Sequence, residues 1–119
     1  MEKINFASKL KQFNELWSPR VIAQMNDYEF KLVKIKDEFV WHSHDHTDEV
    51  FIVLQGVISI EFENRTVELN QGEMLVVPRG EKHKPFAREE AQILLVEPKG
   101  VVNTGEVESH LTAKNGQWI

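Results

Sequence analysis

Apolar and polar positions change their period along this chain. Phe6, Leu10, Phe13 and Trp17 recur at steps of four, three and four, the spacing that lines one stripe of an α-helix. Asn5 ahead of them is a good N-cap, and Pro19 ends the pattern. A helix here should lie against something apolar. From Val21 the period drops to two. Tyr28, Phe30 and Leu32 alternate with charged residues, and Val33 and Ile35 continue on the other parity. That switch predicts a bulge or strand end near Leu32 and Val33. Lys36-Asp37-Glu38 reads as a turn, residues 39–44 as extended, and residues 45–48 as a polar loop.

Further strands are expected at residues 50–54, 57–62, 66–69, 74–77, 83–86 and 93–97. Turn residues such as Gln55-Gly56, Glu63-Asn64-Arg65, Asn70-Gln71-Gly72 and Pro78-Arg79-Gly80 separate them. Eight or nine short strands with frequent turns predict an antiparallel sandwich or barrel. Residues 50–54 and 93–96 are apolar on both faces. One face fills the barrel, and the other needs cover as well. The N-terminal helix can cover part of it and a second copy of the chain the rest, so a homodimer is expected. The expected divisions are a helical segment over residues 1–20, a barrel over 21–100 and a polar, surface-bound tail over 101–119.

Composition narrows the function. A chain of 119 residues forms one domain. With 41% apolar and 28% charged residues it is an ordinary globular protein. A net charge of −5 argues against nucleic-acid binding, which needs a basic surface. Without cysteine there is no disulfide, thiolate metal site or cysteine nucleophile. No apolar run follows the first residues, and residues 50–54 are too short to span a membrane. A cytoplasmic protein is the expectation.

Histidine carries the candidate chemistry. His42, His44 and His46 lie within a few residues of one another, and His83 stands apart. His42 and His44, two apart on an extended segment, share a face. Glu49 opens the next apolar strand, with Phe51 and Val53 on its parity. Two imidazoles and a carboxylate can thus enter one cavity, a donor set that suits Zn, Fe, Mn, Ni or Cu. Pro78 and Gly80 fix a tight corner that returns the chain to the sheet at His83. His46 falls in the loop where strand parity fails, and His110 lies in the tail.

Two spacings together resemble the cupin superfamily. The first is His42-Ser43-His44, four residues, Glu49, six residues, Gly56. The second is Gly72, five residues, Pro78-Arg79-Gly80, two residues, His83. The chain departs from the family pattern at Lys36, where a glycine is usual, and at Ala87, where an asparagine is usual. Nearly its whole length, from residues 6–17 through Trp41-His42-Ser43-His44 to Asn103-Thr104-Gly105, looks like a group of small single-domain cupins described as mannose-6-phosphate isomerase-like. The resemblance implies a double-stranded β-helix, or jelly-roll barrel. It also implies a divalent metal ion held by His42, His44, Glu49 and His83.

Such a site would serve a metal-dependent isomerase or dioxygenase acting on a chelating small molecule, either a sugar derivative or a hydroxy-carbonyl compound. The alternative is a non-catalytic, metal-stabilised binding or sensing module. An acid–base group beside the metal would separate the two, and Glu61, Glu63 and Tyr28 are the weak candidates. Arg79, Lys82, Lys84 and Arg88 against Glu81 form a basic stretch, read here as a solvated loop rather than an anion-attracting mouth. Phe39 and Trp41, of opposite parity to His42, should point outward. Phe51, Val53, Met74 and Val76 should line the cavity.

Overall fold

Alternating side chains build seven strands in the computed structural model, which describes residues 1–119. The order is α1 (Phe6–Leu10), β1 (Arg20–Met25), β2 (Tyr28–Glu38), β3 (Glu49–Gln55), β4 (Ile58–Glu61), β5 (Thr66–Leu69), β6 (Met74–Val77) and β7 (Lys84–Pro98). Every strand pairing is antiparallel. The main sheet runs β1-β2-β7-β3-β6, and β4 joins β5 to β7.

Strand β7 closes the barrel. Its second half lies between β2 and β3, with Ile93 opposite both Val33 and Val53. Its first half pairs with β4, where Phe86 faces Ser59. Between these two sets of partners the strand runs through exposed Arg88, Glu89 and Glu90. The result is an all-β jelly-roll barrel with a short N-terminal helix. Val33, Ile35, Phe51, Val53, Ile58, Ile60, Ile93 and Leu95 fill its interior. A second apolar cluster of Leu10, Phe13, Ile22, Leu32 and Leu94 lies between the N-terminal segment and the outside of the sheet.

Several local expectations are corrected. The helix is only five residues long, capped by the Asn5 side chain, which accepts from Ser8 N at 2.9 Å. Beyond it, sheet pairing replaces helix: Leu16 bridges to Lys34, and Trp17 N donates to Lys34 O at 2.8 Å. Trp17 leaves the helical stripe and enters the barrel core. Strand β2 has no break at Leu32 and Val33, because both its faces are covered. Leu32 lies under the N-terminal segment and Val33 faces the barrel. The register shift comes later, between Ile35 and Asp37, so residues 36–38 end a strand rather than form a turn. Residues 83–86 and 93–97 belong to one continuous run, since the polar residues between them stay extended.

Residues 101–119 form turns tied to the barrel. Val21 N donates to Gln117 O at 2.7 Å, and Ile119 N donates to Val21 O at 3.1 Å. No helix is long and apolar enough to cross a membrane.

Candidate metal centre

His42 and His83 are brought together by backbone pairing. His42 N donates to His83 O at 3.0 Å, and His83 N donates to His42 O at 2.9 Å. Residues opposed in this way send their side chains to one side of the sheet, and the two rings lie 4.3 Å apart. The corner before His83 needs a left-handed residue, which Gly80 supplies at φ +76°. Gly80 N then donates to His44 O at 2.9 Å, tying the two motifs together. Glu49 opens β3 on the inward parity shared with Phe51 and Val53.

The donor atoms of His42, His44, Glu49 and His83 all lie within 4.8 Å of one another, and all four residues are buried. His42 Nδ1 lies 2.9 Å from Val40 O, and His83 Nδ1 lies 2.8 Å from Glu81 O. A carbonyl oxygen only accepts, so each Nδ1 carries a proton, and Nε2 is the nitrogen left facing the cluster. His83 Nε2 is 3.3 Å from Glu49 Oε1, and His44 Nε2 is 3.4 Å from Glu49 Oε2. The His44 approach falls outside hydrogen-bond geometry, which leaves its buried Nε2 without a partner.

Electrostatics match this geometry. Burial, and then the neighbouring His83, lowers the His42 pKa from 6.5 to about 4. The ring is therefore neutral at ordinary pH, the form that can bind a metal. Burial works against ionisation of Glu49, but the His44 and His83 rings outweigh it and hold the carboxyl below the usual carboxylate range. A buried carboxylate is costly unless a cation offsets it. The orphaned His44 nitrogen and this charge both fit a bound divalent ion.

A cavity of about 30 Å³ adjoins the cluster, room for one or two waters. His42, Glu49 and Asn103 are polar members of its wall, and Trp17, Phe39, Phe51 and Leu95 are among the apolar ones. Trp17 stacks on Phe39 at 4.5 Å, and Phe39 meets His42 edge-on at 5.2 Å. Phe39 therefore points inward, against expectation. The backbone leaves strict alternation after β2, so parity does not carry from Phe39 to His42. Trp41 is partly exposed, as expected of an outward side chain.

Phe51 and Val53 are interior, but Met74 and Val76 lie on the outer face. Phe51 pairs with Leu75 on β6, so Leu75 and Val77 take the inward parity there. His46 and His110 are exposed and outside the cluster. Glu63 and Tyr28 are exposed, and Glu61 lies 3.8 Å from Lys84. None of these three reaches the site. Lys84 also binds Glu38 at 3.0 Å, and none of the basic stretch lines the cavity.

Four buried charges went unread in the sequence: Lys34, which donates to Phe13 O under the N-terminal segment, and, on the inward face, Glu29, Lys31 and Glu97. The signal for the last three was parity. Glu97 continues Ile93 and Leu95, and Glu29 and Lys31 precede Val33 and Ile35 on the inward face.

The Cupin_2 pattern, that of the cupin domain, matches residues 30–97. A cupin-2 domain protein of Shewanella frigidimarina is 56% identical, with a TM-score of 0.80 over 81% of this chain and 94% of that one. The uncharacterised protein YdbB of Bacillus subtilis is 34% identical over 79 residues, 66% of this chain and 70% of that protein. A putative dioxygenase of Saccharolobus solfataricus is 25% identical over 115 residues, 94% of this chain but only 29% of that protein's length.

Proposed function

Because the chain belongs to the cupin domain family, we propose that His42, His44, Glu49 and His83 hold one divalent metal ion, Zn, Fe, Mn or Ni. We propose further that the protein is a small metal-dependent enzyme acting on a chelating small molecule. The observation that carries this reading is the buried convergence of four donors. Two of the imidazoles have their tautomer set by backbone carbonyls, and a third nitrogen has no partner. A bound ion of this kind supplies a Lewis acid for an oxygen-bearing substrate, or redox chemistry with dioxygen if it is iron.

The chain's own residues define what can approach. His42 and Glu49 face the cavity, while Phe39, Phe51, Trp17 and Leu95 keep it apolar. No lysine or arginine lines it. A phosphate group carried away from the metal would meet no lysine or arginine on the wall, so a hydroxy-carbonyl compound suits the site better than a sugar phosphate of the kind implied by the mannose-6-phosphate isomerase-like group. The putative dioxygenase among the relatives favours an oxygen-using reaction over an isomerisation.

The second reading is a non-catalytic binding or sensing module. It is favoured by one feature: Glu49 is the only carboxyl group on the cavity wall, so no free carboxyl faces a bound molecule as acid or base.

Titration of chelator-treated protein with Co²⁺ tests the metal site. We expect one ion per chain, lost in His42→Ala and in His83→Ala and retained in His46→Ala. Stoichiometric binding by His83→Ala with loss in His46→Ala would overturn the ligand assignment. Oxygen consumption by the iron-loaded protein with small hydroxy-carbonyl compounds then separates enzyme from sensor.

A further inference from the structure

Strand register stacks three buried carboxyl groups across the barrel wall. Glu29 on β2 is directly opposite Glu97 on β7. Val50 on β3 faces Val96 on β7, so Glu49 and Glu97 are the next pair along. All three glutamates are at most 3% exposed. Lys31 follows Glu29 on the same inward face. Its ammonium donates to Glu97 Oε1 at 2.9 Å and to the Val101 carbonyl at 3.2 Å, and lies 3.9 Å from Glu29 Oε1.

One lysine cannot neutralise three buried carboxylates, and unpaired buried charge is strongly unfavourable. A cation at the His42, His44, Glu49 and His83 cluster accounts for one of the negative charges. The register sets the Glu97 carboxyl beside that of Glu49 on the inward face, both out of reach of solvent. Glu97 Oε2 is buried without a hydrogen-bond partner.

We propose that Glu97, braced by Lys31, is a positioning residue that fixes the Glu49 carboxylate in the orientation needed to bind the metal. Lys31 holds one Glu97 oxygen, and the remaining carboxyl oxygen supports Glu49 from behind. Glu97 is not part of the cavity wall, so it acts through Glu49 and not on a substrate. The inference rests on the metal reading above. A merely structural role is the competing explanation, since the Lys31–Glu97 pair also reaches the tail through Val101 O.

The double variant Lys31→Met/Glu97→Leu, made in a Glu29→Gln background so that no buried carboxylate loses its cation, separates the two. Replacing a buried ion pair by apolar residues of similar volume often leaves stability unchanged or improved, whereas loss of a group that supports a metal ligand typically weakens metal binding about 10–100-fold. We expect Co²⁺ affinity to fall at least tenfold in the double variant while its thermal midpoint holds. Its Co²⁺ absorption bands should move towards those of Glu49→Gln. Glu97→Gln keeps the shape, an acceptor for Lys31 and a donor for Glu49, so its affinity should stay within about threefold of wild type.

Wild-type affinity and spectrum in the double variant would overturn the inference and leave the metal reading standing. Absence of Co²⁺ binding by the wild type would overturn both. If the double variant does not fold, equal affinities in Glu97→Ala and Glu97→Gln would overturn the inference, and a tenfold gap between them supports it.

Discussion

His42 keeps its ring neutral to low pH because it is buried beside His83, with His44 and Glu49 completing its surroundings. In the unfolded chain the same residue titrates near 6.5. Above that pH the ring is neutral in both states, and its contribution to stability is complete. As pH falls from 6.5 towards 4 the unfolded chain takes up a proton that the folded chain refuses, and stability declines. The full loss is on the order of 3 kcal/mol for the metal-free protein. Urea unfolding of chelator-treated wild type and His42→Phe between pH 7 and pH 4 should show it: the wild type loses that much more than the variant. Equal slopes would remove His42 as the source. At this scale the four clustered residues were legible through the resemblance to cupins that the two motif spacings carry; spacing alone grouped only His42, His44 and Glu49. Glu97 was not, because its relation to Glu49 exists only once β7 is paired with β3.

Two segments without regular structure complete the barrel at the level of elements. Trp17 has φ +58°, an uncommon conformation for a bulky side chain. Its backbone N–H is held by Lys34 O, and its indole N–H donates to Lys36 O at 3.0 Å. Asn103 fastens it to the tail: Nδ2 donates to Trp17 O and to Leu111 O, each at 2.9 Å, and Oδ1 accepts from Ala113 N at 2.9 Å. A Cβ on Gly105 would run into the Ser43 carbonyl, so the tail also packs against the backbone beside His44. Asn103→Ala removes three part-buried hydrogen bonds and should cost about 2 kcal/mol or more in unfolding experiments. Trp41 and Trp118 are exposed, so the blue part of the tryptophan emission belongs to Trp17 and should shift red in this variant. These contacts join residues far apart in the chain, and periodicity contains no trace of them. Period two did reveal the strands. It failed at Leu32 and Val33, where cover on both faces imitates a change of register, and at the helix, where an edge of β2 captures Leu16 and Trp17.

The outer surface of the whole molecule is unevenly covered. The N-terminal segment shields Leu32 and Leu94 and packs against Ile52 and Leu54. Further along the same sheet, Val50 lies opposite both Val76 and Val96, and Ile52 lies opposite Met74. Met74 is 55% and Val76 47% exposed, so an apolar row crosses β6, β3 and β7 on the outside of the barrel. Strand β6 also ends the sheet and leaves one unpaired edge beside this row. Contiguous apolar surface of this kind marks an interaction site more often than bare solvent contact. The expected partner is a second copy of the chain, because the same row on two copies is self-complementary about a two-fold axis. Sedimentation at tens of micromolar, well above the range of specific affinities, should give a dimer. Val76→Lys places a charge in the centre of the row without touching the interior, and should yield a folded monomer that still binds Co²⁺ at one ion per chain. A wild-type monomer under the same conditions, or a Val76→Lys dimer of unchanged affinity, would place the contact elsewhere or remove it.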